Sequence, residues 1–311
     1  MLQPMARRPQ REPAAGTAPP AEPHATVADS AAIWWGAADV PRNAAVRITA
    51  GPTTVWVERR RHDWRVFSVP CAEGDDERAM RPEPVDTAEL PDIDPLVRFC
   101  FADAPERLIV AVAQADRPVV VRPETPLSIS PGEKVTLFVS TPVWMVLSVE
   151  RTVAKRRNGR APEQQLEEQR LIEVPLERPS DTWFGPNTRM GELCYAARTA
   201  GYLQRDALPR KPHLAVTPVT IENKATDPLQ FERLQVPVPQ LGVYVDTSGV
   251  LWTNAVQLTR ESNGDVAAVR VESGVPLGAR GASERLAKPR SVAPAGSMVR
   301  AFSRLLHMGT T

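Results

Sequence analysis

Cysteine is scarce in this chain: Cys71, Cys100 and Cys194 are the only three among 311 residues. An odd, widely spaced set makes neither a disulfide framework nor a tetrahedral zinc site. It suits a reducing compartment, and a cytoplasmic location is expected. Histidine is nearly as rare, and none of His24, His62, His213 and His307 stands at metal-ligand spacing from another His or a Cys. No metal and no other cofactor is therefore expected. An excess of one charge is also missing, because 38 Lys and Arg face 37 Asp and Glu. No global field then draws the chain to nucleic acid, and no nucleic-acid partner is expected. No run approaches the roughly eighteen apolar residues of a membrane span, and the basic start of the chain lacks the apolar stretch of a secretory signal. Gly-x-Ser-x-Gly and Gly-rich phosphate loops are absent too. The sequence thus leans away from an enzyme, with no catalytic residues to name.

Proline is plentiful, at 32 residues, while long runs of strong helix formers are few. That balance favours short strands and many turns. The expected fold class is mainly β: two antiparallel β-sandwich or barrel-like domains with one or two short helices. Residues 1–30 form a Pro- and Ala-rich tail with almost no large apolar side chains, expected to be disordered. Residues 31–160 form an N-terminal β domain, 161–290 a C-terminal β domain, and 291–311 a linker with a short amphipathic helix.

In the first half, short apolar runs at 45–49, 54–59 and 64–69 predict antiparallel strands, with Gly51-Pro52 and the charged Arg60-Arg61-His62-Asp63 as turns. The acidic, Pro-rich stretch 71–95 reads as a mobile surface loop; its acids lack the spacing of a calcium loop. Strands resume at 96–101, 108–112, 118–121 and 135–139, and Ser130-Pro131-Gly132-Glu133 is a tight turn. The nearly continuous apolar run 142–149 predicts a central strand buried on both faces. Asn158-Gly159 is a hairpin signal, yet the polar stretch 161–170 that follows reads as an excursion rather than a returning strand. The basic cluster around Arg156 has no interleaved aromatics for stacking on bases, so it reads as a solvated loop.

The most distinctive stretch, 180–195, crowds Trp183, Phe184, Tyr195 and Cys194 around the turn Phe184-Gly185-Pro186-Asn187. Beyond it Met190, Leu193, Cys194, Ala197, Ala200 and Gly201 recur at three- and four-residue steps, which points to a helix packed on a sheet, although residues 193–196 also alternate as a strand would. Cys194 lies among apolar neighbours and reads as a buried structural thiol. Five strand candidates follow, at 214–221, 229–234, 241–245, 251–258 and 266–271. The last three are joined by hairpin turns at Asp246-Thr247-Ser248-Gly249 and Ser262-Asn263-Gly264-Asp265 in what reads as an antiparallel meander.

Four segments carry a family likeness: Asp181-Thr182-Trp183-Phe184-Gly185-Pro186, Gly191-Glu192-Leu193-Cys194-Tyr195-Ala196, Thr217-Pro218-Val219-Thr220-Ile221-Glu222-Asn223, and Pro131-Gly132-Glu133 followed by Pro142-Val143-Trp144. With them the chain resembles an uncharacterised prokaryotic domain-of-unknown-function family over about residues 30–290. The resemblance implies no catalytic residues and no reaction.

Near the end, Met298, Phe302, Leu305 and Leu306 share one helical face, with Ser297 as N-cap, and predict a short amphipathic helix. Docking on the chain's own sheet, on a partner protein or weakly on a membrane surface would suit it.

Two functions follow. The first is a non-catalytic accessory or scaffold protein whose β-sandwich-type domains bind an unidentified protein partner. The second is a carbohydrate or small-ligand binding module, or a hydrolase, using Trp183, Trp252 or Trp34 as a stacking platform. The candidate contact residues are Trp183, Phe184, Arg189, Arg210, His213, Phe302, Leu305 and Leu306.

Overall fold

The computed structural model describes residues 33–71, 77–155, 163–187, 189–262, 264–276, 278–281, 283–292 and 298–303. The expected tail 1–30, the cluster around Arg156, and Leu305, Leu306 and His307 lie outside the described residues. Within them the protein is mainly β with several antiparallel sheets. Its helical elements are three single turns of 3-10 helix, Thr87–Glu89, Arg205–Ala207 and Val238–Gln240.

The first meander forms as its apolar alternation dictates. Ala44–Ala50, Thr53–Arg59 and Asp63–Pro70 pair in succession, with Ala79–Val85 and Val97–Cys100 on the two edges. Val46, Ile48, Val55, Val57, Trp64 and Val66 all turn into one core. The acidic stretch expected as a mobile loop instead supplies the edge strand Ala79–Val85 and a 3-10 turn closed by an Asp86/Glu89 capping box. Pro82 and Pro84 are tolerated because an edge strand needs ladder donors on one side only.

A four-stranded sheet follows in the order Gly36–Asp39, Arg107–Ala113, Trp144–Lys155, Glu163–Pro175. As expected, the run after Pro142 is an interior strand, and Met145, Val146, Leu147, Ser148 and Val149 are all buried. The polar stretch 161–170 corrects its expectation. From Glu163 it returns along Trp144–Lys155 in a long antiparallel ladder. Charged and amide side chains suit an edge strand that must not recruit a stranger, and Leu171 and Val174 anchor its far end in the core.

The largest sheet is built on Leu214–Asn223. Lys134–Pro142 runs antiparallel along its whole length, from Lys134↔Glu222 to Pro142↔Leu214. On the other side lie Leu251–Thr253 and Val256–Arg260, both parallel to it. Strands from either side of residue 160 therefore share a sheet. The two turns expected at 246–249 and 262–265 do join antiparallel neighbours, but the meander is broken where these parallel pairs meet the central strand. Asn254 holds that break: its Oδ1 accepts from Gly242 N at 2.8 Å and its Nδ2 donates to Gly274 O at 2.9 Å.

The remaining five-stranded sheet runs Asp181–Asn187, Met190–Ala196, Val119–Val121, Arg233–Val236, Phe302–Ser303. Two helix expectations fail here. Met190–Ala196 is a strand of a hairpin with Asp181–Asn187, and the alternation of exposed Leu193 with buried Cys194 won over the three-to-four-residue spacing. The expected C-terminal helix is replaced, over its described part, by Met298–Arg300 on Val266–Val271 and Phe302–Ser303 on Arg233–Val236. A ten-residue helix is marginal alone, whereas two open sheet edges offer both ladder bonds and a core. Phe302 uses that core, fully buried with its ring 5.2 Å from that of Phe231.

Candidate functional site

The turn Asp246–Gly249 organises a cleft. Asp246 is buried, and its Oδ1 accepts from Ser248 N at 2.8 Å, Ser248 Oγ at 2.6 Å and Val250 N at 3.1 Å. Its Oδ2 accepts from the indole Nε1 of Trp252 at 2.9 Å and from Arg280 N at 3.3 Å. An Asp followed by Ser and Gly folds this way because a short carboxylate reaches the N–H groups of its own turn, and Gly249 takes the positive φ of 81°. Burial pushes the Asp246 carboxyl up, but these donors outweigh it and hold the group below the usual carboxylate range.

The same turn fixes one wall. The carbonyl of Arg280 accepts from Thr247 N and Thr247 Oγ1, so the backbone of Arg280 is held from both sides while its side chain lines the cleft. Arg205, at the 3-10 turn, donates to Gly278 O at 2.6 Å and lays its guanidinium 5.7 Å from the Trp252 ring centre. The floor is apolar: Leu208, Val216 and Trp252 form a small buried cluster of their own with Tyr244. Val216 and Trp252 are direct partners in the parallel ladder, which places them side by side. The far wall combines the start of the edge strand, Ala79 and Met80, with Pro209, Arg210 and Lys211. The enclosed volume is about 510 Å³, within the range of small-molecule sites.

A wider groove of about 820 Å³ runs over the Val256–Arg260/Val266–Val271 hairpin. Gln257, Thr259, Glu261, Arg270 and Glu272 line it beside the buried Tyr244, without the apolar Leu208, Val216 and Trp252 surface of the cleft. Volume alone favours the groove; depth and chemistry favour the cleft.

The residues singled out from sequence are scattered. Arg210 lines the cleft, and Trp252 forms its floor. His213 is one residue beyond the cleft wall at Pro212 but turns the other way and is fully buried. Its Nε2 lies 2.9 Å from Glu177 Oε1, and its Nδ1 has no hydrogen-bond partner and faces Gly51. Trp34 is likewise buried, donating to Pro212 O at 3.0 Å. Phe184 and Phe302 are core residues. Trp183 is 41% exposed on the hairpin Asp181–Asn187/Met190–Ala196, opposite exposed Leu193, with Arg189 at the exposed tip. Trp183 lies on Gly191, where a Cβ would fall 2.6 Å from its Nε1, and donates to Asn187 O at 2.8 Å.

Sequence reading missed Asp246, Arg205, Leu208, Val216 and Arg280 as a group. Its one available signal was the Asp-Thr-Ser-Gly turn leading into Leu251-Trp252. Among the described residues no cluster of three or more His, Cys, Asp or Glu side chains is arranged to hold a metal ion. No helix among them is long and apolar enough to cross a membrane, which says nothing of a membrane β-barrel.

Fold and cleft together define a β-sheet protein with a ligand-sized cavity and an apolar aromatic floor. The chain belongs to the family described as Protein of unknown function (DUF432), whose model matches residues 34–307. No curated protein and no solved structure matches it.

Proposed function

We propose that this protein is a small-ligand-binding module whose ligand lies in the cleft over Trp252. The observation that carries this reading is the buried Leu208, Val216 and Trp252 floor beneath a charged rim in a cavity of about 510 Å³. The polar groups near it suit binding better than chemistry. A carboxylate held below its usual range, as Asp246 is, makes a weak general base. Ser248 Oγ spends its proton on that carboxylate, and among the described lining residues there is no His or Cys. We place the module in the cytoplasm, a reading supported by three free thiols, Cys71, Cys100 and Cys194.

The test is native mass spectrometry of the purified chain joined to a thermal-shift screen of small organic molecules. A ligand that fills the site at about a hundred times its Kd stabilises the fold by ~2.7 kcal/mol. Met80→Trp, on the edge strand and lining the cleft, fills the site from its rim and removes that shift. A screen without any shift, together with no retained small molecule, overturns the reading.

One observation supports the accessory or scaffold reading as a second function. Trp183 and Leu193, cross-strand partners in the hairpin at one end of its five-stranded sheet, are both exposed, a pair of large apolar side chains that suits a protein partner. Affinity purification of the tagged chain, with Trp183→Ser as control, tests it. A stable partner lost in that variant supports the reading, and an identical set of captured proteins contradicts it.

A further inference from the structure

We infer that the ligand of the Trp252 cleft is a small soluble amphipathic anion, an aromatic or branched aliphatic body carrying a single carboxylate, sulfonate or phosphate. This rests on the ligand-binding reading above and adds the chemical class.

The rim and the floor ask for different halves of one molecule. Among the described lining residues, Arg78, Arg205, Arg210, Lys211 and Arg280 face two carboxylates, Glu77 and Asp246. The whole chain carries a formal charge of only +1, so this local surplus is not a by-product of a basic protein. Both oxygens of Asp246 already accept from protein donors, so its carboxylate is not free to take a donor from a ligand. Arg205 is committed to Gly278 O and to the face of Trp252. Arg210 and Arg280 are better placed to meet a ligand. The only ion pair of Arg210 among the described residues is a 4.0 Å approach to Asp206, with both side chains largely exposed, and such a pair holds little energy. Arg280 reaches from a backbone clamped by Asp246 and Thr247, so its guanidinium starts from a fixed root. A cleft with low-dielectric walls focuses the field of such a rim.

The floor excludes the alternative of a wholly polar anion. Inorganic phosphate or a sugar phosphate would cover Leu208, Val216 and Trp252 without giving them apolar contact, and burying that surface is the main favourable term available. An uncharged apolar molecule would leave the Arg210 and Arg280 charges to water and gain nothing from them. An amphipathic anion uses both.

The experiment compares two fluorescent probes of nearly one shape on the full chain. These are 8-anilinonaphthalene-1-sulfonate and its uncharged relative N-phenyl-1-naphthylamine, titrated at low and high salt. The inference expects the sulfonate to bind about tenfold more tightly at about 50 mM salt, with most of that preference gone at about 500 mM. It expects Arg210→Gln with Arg280→Gln to abolish the preference while N-phenyl-1-naphthylamine binds as before. Both substitutions are on exposed side chains, and Arg270→Gln in the wider groove serves as a control for loss of positive charge elsewhere that leaves both probes unaffected. Equal affinity for the two probes overturns the anion class and leaves ligand binding standing. A preference that Arg270→Gln abolishes equally overturns the assignment to this cleft. Binding of neither probe, or capture by anionic vesicles with no binding of either, overturns the inference; the thermal-shift screen then decides separately whether ligand binding stands.

Discussion

The indole of Trp252 donates to the carboxylate of Asp246 at 2.9 Å with both residues buried, so one hydrogen bond ties the floor of the cleft to the turn that builds its wall. Because the same carboxylate also accepts from Ser248, Val250 and Arg280, the turn, the floor and the Arg280 segment stand or fall together.

Asp246→Asn tests that unit. The amide would aim a donor at a donor, either the Trp252 N–H or the cluster from Ser248 and Val250. Leaving a buried donor unpaired costs about 1–3 kcal/mol. Urea denaturation should show a loss in that range, and probe affinity should fall as the floor loosens. An unchanged midpoint contradicts the pairing.

Acid stability follows from two carboxyls. Burial raises the Asp63 group, but Arg65 and Arg98 outweigh it and hold it low, as the hydrogen-bond donors do for Asp246. A group whose folded pKa is depressed contributes stability that is fully present above its unfolded value. Here that value is near 3.8, and the contribution is lost as pH falls through the folded one. The unfolding free energy should therefore hold steady near neutrality and drop below about pH 4. In a Asp63→Asn, Asp246→Asn double variant the acid drop should be shallower. An equally steep drop in the double variant contradicts the assignment.

Gly51 and His213 meet where no side chain fits. A Cβ on Gly51 would stand 1.9 Å from His213 Nδ1, and Gly51 has φ of 57°. Gly51→Ala should cost more than about 2 kcal/mol by combining backbone strain with a forced shift of a buried ring. Since the clash is with the imidazole, His213→Ala should be less damaging in the Gly51→Ala background than alone. A double-mutant cycle in urea reads the coupling, and strict additivity contradicts it.

Cys194 should be inert in the folded protein. Burial pushes its thiol up to about 11, opposed by the hydrogen bond from Gln235, and the residue is fully enclosed. With a maleimide at pH 7.5, mass spectrometry should find exposed Cys100 labelled first and Cys194 only after denaturation. Labelling of Cys194 at the rate of Cys100 contradicts its place in the sheet.

Much of the strand inventory was legible because apolar runs and turn residues are local signals: Thr53–Arg59, the interior strand after Pro142 and the Asp246 turn all announce themselves within ten residues. Two segments misled for the same physical reason. At Met190–Ala196 and Met298–Ser303 the apolar spacing fits a helix as well as a strand, and what decided was an open sheet edge elsewhere in the chain, at Val119–Val121, Arg233–Val236 and Val266–Val271. The cleft was illegible for a related reason. Met80, the Arg210 to Val216 stretch, Trp252 and Arg280 come from four separate parts of the chain, brought together by parallel pairing of Leu214–Asn223 with Leu251–Thr253, and no short-range pattern reports a parallel register. Arg210 and Trp252 stood out in the sequence, but nothing local joined them.

The central claim is that an amphipathic anion sits over Trp252, and hydrogen-exchange mass spectrometry with saturating 8-anilinonaphthalene-1-sulfonate tests it most directly. The account predicts slowed exchange confined to the backbone around Leu208–Lys211, Asp246–Trp252 and Arg280. Protection centred instead on the Val256–Arg260/Val266–Val271 hairpin, or no protection at all, would contradict it.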